Sequence, residues 1–355
     1  MSCAVLALPG LLDSPDGEPF LPRSATLESI AAHGRVRRTA APRTLGEWLG
    51  LEPEEADLAF GPLVVAALGA HPPERSISFA VEILGLEGDV LQPPPVLTQA
   101  EHAEIVTASR KLDTRRLTLV ANERSPHGLV WEDWGEFDAL APDEAVGKPL
   151  AEALPRGDGE RELRRYIEDS VNLLSELELN RRRAGEGFPV AGVLWPFAPG
   201  MRRPVPNLAL RYGPISVTGG DIALRGLARL AGLSHTPAPA GKGLDLPWSD
   251  LRAAMGSGIL VIQEFARLRE QGLFEEGRWL ANRLVENLLV PLLDELAKDV
   301  NRSVMVVASG RLGGLSLELH GRANPEAGPP FDERAFEDGL GAAPSVARCV
   351  SAALT

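Results

Sequence analysis

The stretch GVLWPFAPGMRRPVPNLALRYGPISVTGGDIALRGLARLAGL, residues 192–233, decides the fold. It overlaps one apolar run, 190–195, and contains a second, 215–218. Short apolar runs bounded by Gly or turn residues suit strands buried on both faces. After the second run, Gly219–Gly220–Asp221 leads into IALRGLARLA. Asp221 is a good N-cap and Gly232 a good C′ residue, so the spacing predicts a helix between them. A buried strand running straight into a capped helix is half of a parallel crossover.

Working outward, similar runs lie at 3–8, 259–263 and 304–308, with helical periodicity between them. Leu163, Ile167, Val171, Leu174 and Leu177 share one face of a helix expected over 160–184. Its end, Arg181–Arg182–Arg183, is read as neutralising a helix C-terminus. Leu280, Leu284, Leu288, Leu292 and Leu296 make one stripe of a helix over 275–298, where Pro291 predicts a kink or a break. The class is α/β with a mainly parallel sheet. Pro93–Pro94–Pro95 forms a stiff connector, and 321–330 is rich in Pro and Gly. Between them, 96–156 carries its own helix (99–112) and strand (118–121). It is expected as a small inserted α/β subdomain, leaving 1–95 and 157–355 as the core.

The chain has 355 residues, 36 Lys plus Arg against 49 Asp plus Glu, and a formal net charge of −13. That balance excludes a phosphate-backbone binder, which draws on a cationic surplus, so no nucleic-acid partner is expected. Hydrophobic residues at 44% supply a core and exclude wholesale disorder. Two cysteines, Cys3 and Cys349, build neither a zinc cage nor a disulfide framework, which fits a reducing cytoplasm. The start lacks the basic segment and long apolar run of a signal peptide. No run reaches the ~20 residues that cross a bilayer, so no membrane partner is expected either. Only six histidines are present, and no two sit at metal-ligand spacing.

The 192–233 stretch resembles the archaeal-type, cofactor-independent phosphoglycerate mutases of the alkaline phosphatase superfamily. The resemblance rests on Trp195, Gly200, Pro204 and Pro206, Tyr212–Gly213, Ser216 through Gly220, and Gly226 with Gly232. The segment PAGKGLDLPW (239–248) is similar to that family's Gly-x-x-Gly-x-x-Asp segment, with Gly243 and Asp245 in register. Looser likenesses cover 24–35, 60–69, 125–131 and 147–159. The resemblance implies a three-layer alkaline-phosphatase-like core. It also implies two divalent metals (Mn, Mg, Co or Zn) on Asp and His side chains, a serine nucleophile, and arginines that hold a phosphorylated substrate.

Set against those requirements, the sequence departs at most positions. Pro9 stands where the first strand should end in a metal-binding Asp, although Gly10 and Asp13 follow. The nucleophile segment is shortened to APRTLGEWLG (41–50), where Arg43 and Thr44 lie nearest the missing serine. Phe60 and Val64 replace an arginine and a glutamate, and Ala80 and Glu82 replace an Arg-x-Asn pair. Ala266 and Glu270 fall where an Asp and a His are expected, and Gly310 and Arg311 where an Asp-His pair is expected. His320 alone matches a ligand histidine. Hydrophobic groups such as Trp48 and Phe60 stand near former polar catalytic positions, the pattern of a site filled in as a set.

The remaining candidates are therefore vestigial or anion-binding. Thr44 is the vestigial nucleophile, and Asp13 with His320 the vestigial metal ligands. Arg43, Arg124, His127, Lys242, Asp245 and Arg311 are the ligand-binding set. Trp131 and Trp134 are expected on the subdomain's surface. The expected function is a catalytically inactive interaction or regulatory protein of the mutase-like group. The alternatives are a metal-dependent phosphoryl-transfer enzyme using Asp13, Asp245, Glu264, Glu270 and His320, and a metal-free binder of a phosphorylated small molecule using Arg43, Arg124, Lys242 and Arg311.

Overall fold

The computed structural model describes residues 2–12, 20–21, 24–55, 57–133, 135–239, 241, 244–256, 258–299, 301–310, 313–319, 331 and 343–355. Its strands in chain order are β1 (Ser2–Leu8), β2 (Gly34–Thr39), β3 (Ile77–Glu87), β4 (Val90–Gln92), β5 (Leu117–Val120), β6 (His127–Trp131) and β7 (Phe137–Asp138). Then follow β8 (Arg156–Gly157), β9 (Val193–Met201), β10 (Ser216–Gly219), β11 (Ser234–Thr236), β12 (Ile259–Val261), β13 (Arg302–Ser309) and β14 (Gly314–Leu319). They fall into two compact units, Met1–Asp57 with Val205–Thr355, and Leu58–Pro204.

The first unit holds a seven-stranded sheet of order β11-β10-β12-β1-β13-β14-β2. The neighbours from β11 to β13 are parallel, and β14 is antiparallel to both β13 and β2. The short apolar runs become buried parallel strands because helices cover both faces. Ala4, Leu6 and Leu8 point into a core with Leu260, Val304, Val306, Phe265, Leu280 and Leu284. The alternate residues Val5 and Ala7 are also buried, and helix Val346–Leu354 packs against β1 and β13.

The helix signals hold with two refinements. Asp221 caps helix Ile222–Leu230 by accepting from the Leu224 N–H at 2.9 Å, and Gly232 takes φ +74° beyond it. The long 275–298 helix is observed as Phe274–Leu284 and Val290–Leu296, joined by a π-helical turn at Val285–Leu289. Pro291 has no N–H for the Asn287 carbonyl four residues back. The Arg252 guanidinium donates to that carbonyl instead, at 3.2 Å.

The second unit is built on antiparallel pairing. β3 pairs with β4, β6 and β9, β5 pairs with β6, and β7–β8 form a separate ribbon. Two expectations change here. The 190–195 run does not join the parallel sheet; it begins β9, antiparallel to β3. Residues 96–156 are no compact unit of their own, because β5 and β6 complete the sheet centred on β3, so the unit extends over Leu58–Pro204.

The helix expected over 160–184 is two, Glu160–Ser175 and Glu178–Gly185. The Asn180 side chain holds the break, donating to the carbonyls of Leu174 at 2.7 Å and Ala191 at 2.6 Å. Arg182 and Arg183 lie in the last turn of the second helix, as expected, and Arg183 does more than neutralise its end. It is buried and donates to the Glu101 carboxylate (2.6 Å) and to the carbonyls of Val96 (3.0 Å) and Pro189 (2.8 Å). Trp131 is likewise buried, its indole N–H donating to Glu162 at 2.7 Å, so it is no surface group. Trp134 and the 321–330 tract lie outside the described residues. No helix among the described residues is long and apolar enough to cross a membrane.

Candidate functional site

In an open parallel sheet, ligands are bound beyond the carboxyl ends of the strands, where chains from neighbouring strands diverge. In the first unit that edge is formed by the ends of β1, β12 and β13, with β2 ending on the same side two strands away.

β1 runs into Pro9 and Gly10, which turns with φ +78°. A Cβ placed on Gly10 would lie 2.7 Å from Ala266 Cα and 2.8 Å from Ala266 N, so the turn rests directly on the backbone of helix Glu264–Glu270. From that helix Arg269 donates to the Gly10 carbonyl through Nε at 3.1 Å and Nη2 at 2.6 Å. Its guanidinium also lies 4.7 Å from the Phe20 ring centroid, a cation–π contact. Just after β13 the Gly310 N–H donates to the Gly313 carbonyl at 2.9 Å.

β2 ends at Thr39, opposite Gly314. A Cβ on Gly314 would fall 2.2 Å from Thr39 Oγ1, so glycine is required there. After β2 the chain forms a 3-10 turn, Leu45–Leu49. The buried Glu47 carboxylate accepts from the N–H groups of Arg43 and Thr44, the latter at 3.2 Å. Thr44 Oγ1 is buried and has no hydrogen-bond partner among the described residues. The carboxylate beside it is committed to backbone donors, so no described base takes the hydroxyl proton. A threonine hydroxyl without an adjacent base or a bound metal is a weak nucleophile.

The structure gathers Pro9, Gly10 and Ala266 at this edge, and the described alternative ligands, Glu264, Glu270 and Asp245, form no cluster with them. Glu264 opens the helix and Glu270 closes it, about 9 Å apart along the axis at 1.5 Å per residue, too far for one ion. Asp245 is exposed, 3.9 Å from Arg283. Asp13, Lys242, Arg311 and His320 lie outside the described residues. Among the described residues no group of three or more His, Cys, Asp or Glu side chains is placed to hold a metal ion. A divalent cation takes about four to six donors. Backbone, an alanine, a proline and a fixed guanidinium do not fit that demand.

In the second unit Arg124 is exposed and His127 is fully buried. The His127 ring accepts at Nδ1 from the Asn122 N–H (3.1 Å) and lies 5.9 Å from the His102 ring. Burial, then the His102 ring, hold its pKa down to about 4. Neutral and enclosed, it is a core imidazole and not half of an anion-binding pair with Arg124. Phe60 is half-buried and meets Phe197 at 5.9 Å, while Trp48 is buried in the first unit. Sequence reading missed the structural tasks of Glu47 and Arg269. The Glu47 signal was present as a Thr-x-x-Glu capping pattern at 44–47. Arg269 stands among other charges and gives no local signal.

No protein-family model matches the chain. Similar sequences include the 2,3-bisphosphoglycerate-independent phosphoglycerate mutase 2 of Methanothermobacter thermautotrophicus, 23% identical over 206 residues, which are 55% of this chain and 50% of that protein. The corresponding mutase of Methanothrix thermoacetophila is 25% identical over 237 residues, 62% of this chain and 59% of that protein. The match therefore spans about half of these relatives' length. Among solved structures, the cofactor-independent phosphoglycerate mutase of Thermoplasma acidophilum aligns over 99% of this chain and 98% of its own, with a TM-score of 0.56 and 15% identity. The PH0037 protein of Pyrococcus horikoshii aligns over 99% and 96%, with a TM-score of 0.65 and 14% identity. In sequence the chain is similar to the 2,3-bisphosphoglycerate-independent phosphoglycerate mutases, and it shares the fold of the cofactor-independent phosphoglycerate mutase of Thermoplasma acidophilum.

Proposed function

We propose that this chain is a phosphoglycerate mutase-like protein that no longer catalyses phosphoryl transfer and serves as an interaction or regulatory protein. One observation carries the reading. At the carboxyl edge the turn after β1 rests on the Ala266 backbone, and the Arg269 guanidinium is fixed on the Gly10 carbonyl. A divalent ion there would find no group of three or more carboxylate, imidazole or thiol side chains among the described residues, and a cation would already stand beside it. The unactivated Thr44 hydroxyl supports the same reading. The partner would be a protein or a phosphorylated small molecule.

The test is to incubate the purified protein with 3-phosphoglycerate and Mn²⁺, Co²⁺, Mg²⁺ or Zn²⁺ in turn, following 2-phosphoglycerate formation. No product above the protein-free control is expected. Product formation that disappears in Thr44→Ala would overturn the proposal. It would establish the second reading, a mutase with rearranged ligands including Asp13 and His320, which the names of the relatives favour.

A further inference from the structure

The second unit carries a cavity of about 540 Å³ lined by none of the residues matched to the mutase family. One wall comes from the turn after helix Gln99–Ser109 and the approach to β5, contributing Lys111, Leu112, Thr114, Arg115, Arg116 and Leu117. The other is a single face of helix Glu160–Ser175, with Glu162, Arg165, Tyr166 and Asp169 at spacings of three and four. The adjoining stripe of that helix, Leu163, Ile167 and Leu174, is core. The charged stripe therefore borders an open volume.

The lining has the polarity of an anion site with an apolar floor. Four of its ten residues are cationic and two acidic, a local surplus of positive charge in a chain whose formal charge is −13. Arg116 is engaged by Asp133 at 3.1 Å and Glu162 at 3.6 Å, and Arg165 by Asp169 at 3.4 Å. Lys111 and Arg115 have no ion-pair partner among the described residues, which leaves two cations for an incoming anion. Leu112, Leu117 and the Tyr166 ring supply the apolar surface. Tyr166 is 3% exposed, and its hydroxyl is a buried polar atom without a hydrogen-bond partner among the described residues, an expensive feature for a purely structural residue.

We infer that this cavity binds a phosphate monoester carrying an aromatic or apolar body. A guanidinium matches phosphate with two parallel hydrogen bonds, and an ammonium adds a point charge. The volume lies within the range of small-molecule sites and exceeds what inorganic phosphate fills. The apolar floor takes the body of the ligand. Neither cation belongs to the Arg43, Arg124, Lys242 and Arg311 set, so this site stands or falls independently of the proposed loss of catalysis.

The test is calorimetric titration of the full chain with AMP and with 4-nitrophenyl phosphate, against adenosine and inorganic phosphate. At least one of the two esters should bind at one per chain, more tightly than either fragment. The double variant Lys111→Glu with Arg115→Glu should weaken it about ten- to a hundred-fold, the size expected for losing charged hydrogen bonds. Both residues are exposed, so folding is preserved, which circular dichroism verifies. Leu112→Glu, placed in the apolar floor, should remove the advantage of the ester over inorganic phosphate. Binding of neither ester at millimolar concentration overturns the inference. So does ester binding unchanged by the double variant, or inorganic phosphate binding as tightly as the esters.

Discussion

Gly10→Ala should lose about 3 kcal/mol of stability or more, although it adds one methyl group. Two costs add at this position. Alanine in the left-handed region costs roughly 1–2 kcal/mol, and Gly10 sits at φ +78°. The new Cβ would also meet the Ala266 backbone at 2.7 and 2.8 Å, and backbone in a packed helix cannot swing aside as the end of a flexible side chain can. Relieving the clash moves the turn off the helix and pulls the Gly10 carbonyl from the Arg269 guanidinium. Gly272→Ala is the control. Gly272 has φ +70° with no described atom within 4 Å of its added Cβ, so only the conformational cost of roughly 1–2 kcal/mol applies. Thermal melts followed by circular dichroism compare the two. Equal losses would contradict the close seating of the β1 turn on Ala266.

Stability should fall as pH drops from about 6.5 towards 4, and His127 should account for on the order of 3 kcal/mol of the loss. The folded pKa of His127 is depressed to about 4, with burial the larger cause and the His102 ring the smaller. An unfolded histidine titrates near 6.5. Between those values the unfolded chain binds a proton that the folded chain refuses, so acid favours unfolding. Below about 4 both states are protonated and this contribution is spent. His102 is shifted downward too, by burial and then by Arg124, and acts in the same direction. Glu101, lowered to about 2, adds its own loss only below the ordinary carboxylate range. Glu82 is raised by burial and opposes the trend. The comparison with His127→Gln isolates the histidine, because glutamine still offers an acceptor for the Asn122 N–H without titrating. Urea midpoints from pH 7 to 4 should decline more steeply for the parent than for the variant. Parallel slopes would contradict the buried neutral imidazole.

The sequence was informative where local chemistry and fold agreed. Asp221 and Gly232 bound a helix because capping is a contest among neighbouring groups, decided within a turn. Pro291 forecast a break because its missing N–H is a property of the residue itself, and the π-helical turn at Val285–Leu289 follows. The 190–195 run was read into the wrong sheet because an apolar run reports burial on both faces and not the direction of the neighbouring strand. His127 was read as an anion contact because burial beneath the Gln99–Ser109 helix depends on residues far off in sequence. Arg183 lies at a helix end as read, but its bonds to Glu101 and Val96 left no local signal because those acceptors lie 82 and 87 residues away.

At the candidate site the sequence named Pro9 and Ala266 as non-ligands, and the structure brings them to one edge. It did not foresee that a guanidinium occupies the turn. Nothing in the LREQG run distinguishes Arg269 from the other charged residues around it. Fold alone does not settle activity, since one scaffold supports both turnover and its absence. The donors present at the edge are what separate the two.

Metal retention measures that difference most directly. The full chain is loaded with Mn²⁺ or Co²⁺, dialysed without chelator, and its bound metal measured against protein. The donor set at the ends of β1, β12 and β13 predicts substoichiometric metal, unchanged by His320→Ala. Stoichiometric metal that survives dialysis and is lost in His320→Ala would contradict the account.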